Sequence, residues 1–485
     1  MKLIRKGETP SWYVSLIPFA ILIFILVLVI KAYGADALAG GSQVALLFAA
    51  AVTIAISMFF YGTSWKKFED AITDNVRSVG TAIIILLLIG AVSGSWMVSG
   101  VVPTMIFYGM KVILPEIFLF ATCLICALVS VMTGSSWTTI ATVGVALIGI
   151  GTAQGYEVGW TAGAIISGAY FGDKVSPLSD TTVLASSSSG TPLFDHIRYM
   201  MVTTIPSFVI SLVVFLIVSL CHKSPDPGMA VDFSNDLAAT FNISAWLLIV
   251  PIVTGLLIFK KVPAIITLFV ASLLAGVFAV FFQPHLLGEI ASGTPYGGEL
   301  QFMDGFKGIM QSFYGETAID SGNLKLNELI STRGMTGMLS TIFLIITAVT
   351  FGGALVGSGM LQSLTNLLVS FVRRRVSMVA ATVGTGIFAD MVTGDQYLSI
   401  ILTSSLYKKL YKDRGYESKL LSRSVEDSAT VVSVLIPWNS CGMTQATVLK
   451  VSTLTYLPYC LFNIISPLMS IFVAAIGYKI KKQQS

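Results

Sequence analysis

Three ionisable side chains fall within eight residues in the stretch Gly172-Asp173-Lys174-Val175-Ser176-Pro177-Leu178-Ser179-Asp180-Thr181-Thr182, between an apolar run at 160–171 and the serines of 186–189. Charge inside a membrane span costs ~2.5–3.5 kcal/mol per group on insertion scales and by default marks an ion or proton pathway. Pro177 has no N–H and clashes with the preceding turn, so it opens the helix and frees carbonyls around residues 173–176. Those carbonyls, the hydroxyls of Ser179 and Thr181 and the carboxylates of Asp173 and Asp180 make a hard oxygen site suited to a small cation. The blander reading ends a helix at the water interface with Asp173 and Lys174. Lys174 reads as a resident counter-charge or as an anchor for an anionic substrate.

A second polar break follows in Glu426-Asp427-Ser428 and Pro437-Trp438-Asn439-Ser440-Cys441-Gly442. Glu426 and Asp427 either line a cytoplasmic vestibule or place negative charge at a helix N-terminus. Two Thr-Gly tips complete the set. The first, Thr133-Gly134-Ser135-Ser136, offers hydroxyls and backbone. The second, Asp390-Met391-Val392-Thr393-Gly394-Asp395-Gln396, carries two carboxylates. A tip glycine lets the chain turn, and the half-helix after it points N–H groups into the space beyond. The predicted site joins Asp173, Ser179, Asp180 and Thr181 to Asp395 and Asn439, with Ser135, Ser136, Lys174, Asp390, Glu426 and Asp427 as accessories.

The elements that hold these residues are membrane helices. The chain is 55% hydrophobic and 11% charged over 485 residues, with a mean hydropathy of +0.84. Soluble proteins are about 25% charged, so the composition excludes a water-soluble enzyme, a disordered chain and a nucleic-acid binder. Cys123 and Cys126 form a CxxC without the second pair that a zinc site needs. The sequence contains no HExxH motif and no Ser/His pair at catalytic spacing, so the chain reads as a non-enzyme without a cofactor.

About 20 apolar residues cross a bilayer. Spans are predicted at 12–30, 43–61, 78–99, 160–190 (broken), 199–221, 245–259, 262–282, 337–358, 424–447 (broken) and 453–477. The first is too long for a signal-peptide core, despite Ala35-Asp36-Ala37 as a cleavage motif. Stretches 114–150 and 376–406, each interrupted by Thr-Gly, are predicted as re-entrant hairpins. With both termini cytoplasmic, 21 of the 29 Lys and Arg face inward, Arg423 among them, as the positive-inside rule requires.

Shifting the chain by 260 residues lays Thr133-Gly134 on Thr393-Gly394, Gly155-Tyr156-Glu157 on Gly415-Tyr416-Glu417 and Pro177 on Pro437. Residues 1–222 and 245–485 are therefore read as two membrane repeats, joined by an external linker at 223–244, with an external loop at 283–336. Five full crossings per repeat is odd, so the second repeat is inverted. The predicted fold class is an all-α polytopic membrane protein of two inverted repeats: about ten transmembrane helices, two re-entrant hairpins, and helices broken at the midplane.

The Gly172–Thr182 motif, the Thr-Gly-Asp-Gln tip and the Pro437-Trp438-Asn439 break together resemble the NhaC family of Na+/H+ antiporters, within the ion-transporter superfamily. The likeness spans nearly the whole chain. It implies an inverted-repeat, elevator-type carrier, often a homodimer, that exports Na+ against H+ across a prokaryotic cytoplasmic membrane. It also implies Na+ and H+ as cargo and the lipid bilayer as surroundings. Relatives taken to exchange malate for lactate supply the alternative, an ion-coupled carrier of small carboxylates or amino acids. The residues suggest the mechanism independently. Burial disfavours the charged form of a carboxylate, so proton and Na+ compete for the same oxygens, and such competition alone produces antiport.

Overall fold

The computed structural model describes residues 9–33, 40–222, 227–260, 262–294, 299–317, 319–323, 326–327, 330–370, 372 and 374–480. Ala35-Asp36-Ala37 and the basic residues Lys2, Arg5, Lys6, Lys223, Lys261, Lys325, Arg373, Lys481 and Lys482 lie outside them. Among the described residues the only β pairing is an isolated bridge between Thr317 and Thr332. Nine helices there are long and apolar enough to cross a membrane, or up to eleven if each of two bent pairs is one span. The protein is an all-helical, multi-pass membrane protein.

The first half runs α1 (Ile17–Tyr33), α2 (Gly41–Tyr61), α3 (Trp65–Ser78), α4 (Gly80–Val98), α5 (Val101–Val112), α6 (Phe118–Thr133), α7 (Ser136–Ala153), α8 (Val158–Val175), α9 (Asp180–Ser189) and α10 (Leu193–Cys221). In the predicted linker lies α11 (Pro227–Thr240). The second half runs α12 (Ile249–Phe259), α13 (Ala264–Phe282), α14 (Pro284–Ser292), α15 (Phe302–Tyr314), α16 (Leu339–Ser358), α17 (Met360–Ser370), α18 (Arg375–Thr393), α19 (Gln396–Asp413), α20 (Ser418–Val425), α21 (Ser440–Leu449) and α22 (Leu461–Ile476).

The halves clasp one another. From the first half, α2 and α3 pack on α16; from the second, α13 and α15 pack on α4. Asn75 Nδ2 donates to the Val349 carbonyl at 3.2 Å, and Trp96 Nε1 to the Ala271 carbonyl at 3.4 Å, one bond for each arm of the clasp. Under the 260-residue shift α4 corresponds to α16, so the exchange is reciprocal, as two related repeats would make it.

The 283–336 segment, predicted as an external loop, packs on the bundle: α15 and the turn Gly334–Met338 lie along α4. There a Cβ on Gly90 or Gly94 would strike the backbone of Gly334 or Ser312, so both glycines serve close approach. Arg423, assigned above to a cytoplasmic loop, is fully buried. It lies on α20 one turn before Asp427, and its nearest anion is the Asp427 carboxylate at 3.7 Å.

Both Thr-Gly tips turn as predicted. Gly134 and Gly394 adopt left-handed φ of +66° and +67° and end α6 and α18. The next side chain then caps the following helix: Ser135 Oγ accepts from Thr138 N–H at 3.2 Å, and Asp395 Oδ1 from Leu398 N–H at 3.0 Å. The arms extend beyond their apolar cores, with 19 residues before the first tip and 18 in α19, which continues through Lys408, Lys409 and Lys412.

Candidate functional site

The first break is sharp. α8 ends at Val175, and Ser179 caps α9, its Oγ accepting from Thr182 N–H at 3.4 Å and sharing a 2.9 Å bond with Thr181. Pro177 leaves the carbonyls of the last α8 turn without their usual N–H partners, and the structure refills part of the deficit. Thr182 Oγ1 donates to the Lys174 carbonyl at 3.0 Å, and Ser176 N–H to the Asp173 carbonyl at 3.2 Å. Glycines bring α8 against α6: a Cβ on Gly172 would meet Ser130 Cβ at 2.5 Å, and one on Gly168 would strike the Cys123 carbonyl. That seam puts the first tip over the break, where Ser136 donates to Asp173 Oδ2 through N–H at 3.2 Å and Oγ at 2.7 Å.

Beside this junction lies a cavity of about 680 Å³. Asp173, Asp180, Thr181 and Ser135 line it, together with Ser78 at the end of α3, Thr81 of α4, Ile258, Val262, Pro263, Ala264 and Ile265 where α12 meets α13, and Gln396 and Tyr397 of α19. Asp173 is 6% exposed, whereas Asp180 is open to the space. The described lining contains two carboxylates and no Lys or Arg.

The other predicted residues take different places. Asp395 and Asn439 are buried and do not line the cavity; each caps a helix, Asn439 Oδ1 accepting from Cys441 N–H at 3.0 Å. The second tip is bound to its own break, with Ser440 N–H on the Gly394 carbonyl at 2.7 Å and Asn439 Nδ2 on the Asp390 carbonyl at 3.2 Å. Neither carboxylate oxygen of Asp390 has a hydrogen-bond partner of good geometry. Besides the α12–α13 junction, the second half reaches the cavity through Gln396 and Tyr397, just past the tip; their position one and two residues after Asp395 was the available signal.

Lys174 points away from the cavity. Its Nζ pairs with Asp427 Oδ1 and donates to Ser466 Oγ at 3.0 Å, with every partner fully buried. Thr203 Oγ1 also donates to Asp427 Oδ1, at 3.0 Å. The second break begins here, well before Pro437, as a π-helical turn over Glu426–Thr430. No Gly or Pro marks it in the sequence, and π turns of this kind concentrate at functional sites.

A sequence model of the Na+/H+ antiporter family matches residues 168–478, which hold both breaks and the second tip. The chain is 37% identical over 421 residues to the Na+/H+ antiporter NhaC of Alkalihalophilus pseudofirmus, 87% of each chain. It is 34% identical over 429 residues to the Na+/H+ antiporter NhaC of Bacillus subtilis, covering 88% of this chain and 91% of that one. With the malate-2H+/Na+-lactate antiporter of Bacillus subtilis it shares 35% identity over 400 residues, 82% of this chain and 81% of the relative. A family match over more than half the length, with relatives at this identity along most of it, places the chain in the Na+/H+ antiporter family.

Proposed function

We propose that the protein is a secondary transporter exporting Na+ in exchange for H+, with Asp173 and Asp180 holding the ion in the cavity between the first tip and the first break. The observation that carries this reading is the cavity lining: two carboxylates, the tip hydroxyls and no described Lys or Arg. Negative charge with neutral oxygens recruits a small cation, and protonation of membrane-embedded carboxylates opposes its binding. The cavity also reaches Ser78 and Val262, beside Arg77 and Lys260, on the side that the positive-inside rule assigns to the cytoplasm. This supports a state open inward, in a prokaryotic cytoplasmic membrane with both termini cytoplasmic.

The carboxylate-exchanger alternative needs a cation facing the substrate. Lys174, its best candidate, is engaged by Asp427 instead, which favours Na+/H+ exchange. Proteoliposomes carrying an internal pH-sensitive dye test the choice. Added Na+ alone should dissipate an imposed pH gradient. Dissipation only when malate, lactate or an amino acid is also present would replace this reading with the alternative.

A further inference from the structure

Behind the Lys174–Asp427 pair lies a second ionisable group that the cavity does not use. Glu426 is fully buried, and neither of its oxygens has a hydrogen-bond partner of good geometry, although the Thr430 hydroxyl lies one turn on. Across the helix interface stands His196 of α10, whose Nε2 lies 4.0 Å from Glu426 Oε2 and likewise has no hydrogen-bond partner of good geometry. The other ring nitrogen, Nδ1, lies 2.8 Å from Ser422 Oγ, whose hydroxyl also reaches the Lys419 carbonyl at 3.1 Å. With that hydroxyl on the carbonyl, Nδ1 donates to Ser422 and Nε2 presents its lone pair to the carboxyl; in that tautomer a carboxylic acid O–H aimed at Nε2 satisfies both groups once the side chains close by about 1 Å.

The charges around Glu426 give that proton a role. Lys174 and Asp173 on α8, His196 on α10 and Asp427 on its own run act on it, and Arg423, between Asp427 and the Tyr199 ring, completes the buried charges around it. From the remaining neighbours, α18 brings Gly386 against Ser428, α22 offers Asn463 and Ser466, and the α19 tyrosines Tyr407 and Tyr411 are bonded to Thr385 and Thr382. With these carboxylates ionised, His196 neutral and the exposed Asp180 of α9 left to the cavity it faces, two cations meet three anions in the buried set: Lys174 and Arg423 against Asp173, Asp427 and Glu426. The buried set is then one negative charge in excess. One Na+ on Asp173 cancels it, and so does one proton on Glu426. Asp173 already receives two hydrogen bonds from Ser136 that stabilise its charge, whereas Glu426 receives none of good geometry.

We propose that Glu426, paired with His196 behind the Lys174–Asp427 bridge, is the seat of the transported proton, and that it excludes Na+ from the cavity through charge rather than by sharing oxygens. This rests on the antiport reading and assigns its second ion a place. On release the carboxyl O–H bond breaks and the proton passes to water at the end of α10 that bears the exposed Asp195 and Arg198, leaving the Glu426 carboxylate beside a neutral His196.

The test uses the full-length protein in proteoliposomes. Exchange of radioactive Na+ for Na+, which needs no proton movement, gives the half-saturating Na+ concentration as a function of pH. In the wild type this concentration should fall about tenfold per pH unit over the acidic limb. Glu426→Gln should flatten that dependence and abolish Na+-driven proton flux. Glu426→Asp keeps a carboxyl at another distance from His196 and should retain the slope with a displaced midpoint, which decides the matter if the Gln variant does not fold. A wild-type slope in Glu426→Gln, or an unmoved midpoint in Glu426→Asp, overturns the assignment. Wild-type protein that exchanges Na+ for Na+ but never moves protons overturns the antiport reading instead.

Discussion

At the scale of single residues, carboxylates that looked alike in the sequence separate by what they touch. Asp180 faces the cavity, while Asp395 spends one oxygen on the Leu398 N–H and receives Ser440 Oγ on the other at 3.4 Å. Asn caps a helix as well as Asp does, so Asp395→Asn should leave Na+-dependent proton flux near wild type. Asp180→Asn keeps the shape, removes the charge and should abolish coupled exchange in protein that still folds and inserts. Flux assays at matched protein density check both; wild-type exchange in Asp180→Asn would remove the cavity from the mechanism. Lys174 makes a different prediction. Removing one partner of a buried ion pair costs about 3–5 kcal/mol because a charge is left uncompensated, whereas apolar replacement of both is often neutral. Lys174→Met should therefore lower thermal stability sharply, and Lys174→Met with Asp427→Leu, which also strips the buried Arg423 of its nearest anion, should recover only part of it. Additive losses in the double variant would show that the pair is not coupled. The motif announced the charges of Asp173, Lys174 and Asp180, but no local pattern could announce that Lys174 meets Asp427, 253 positions away.

At the scale of elements, the long apolar spans and both glycine tips were legible because hydropathy and a Thr-Gly interruption are local signals. The amphipathic α3 and α15 were not, since neither contains a 20-residue apolar run; their places follow from packing on α16 and α4. The π turn at Glu426–Thr430 also gave no sign, because it arises within residues that read as an ordinary helix. The first tip allows a controlled test. Gly134 and Gly415 both have left-handed backbones, at φ +66° and +71°, but a Cβ on Gly134 would meet the Leu178 backbone at 2.8 Å while one on Gly415 would meet nothing within 4 Å. Alanine at either position should cost ~1–2 kcal/mol of backbone strain. Gly134→Ala should in addition push the tip from Asp173 and raise the half-saturating Na+ concentration, an effect absent from Gly415→Ala. Equal Na+ dependence in the two variants would show that the tip need not approach the break so closely.

At the scale of the whole molecule, the reciprocal clasp of α2 and α3 on α16, and of α13 and α15 on α4, is what two intertwined repeats would produce. Their inversion is a statement about the membrane and must be tested against one. Asp320 is exposed in the segment assigned to the outside; Asp70 on α3 and Lys412 at the end of α19 are exposed in segments assigned to the cytoplasm. Single cysteines at these positions, in a background lacking the native five, should separate cleanly when intact cells meet an impermeant thiol reagent. The cysteine at 320 should react at once, and those at 70 and 412 only after the membrane is opened. Position 412 is decisive, because α19 leads away from the second tip, and its far end fixes the side on which that hairpin opens. Labelling of 412 in intact cells would give both hairpins the same orientation. The two repeats would then be parallel, and the first tip and Gln396–Tyr397 could not approach the cavity from opposite sides of the bilayer, as alternating access through an inverted pair requires.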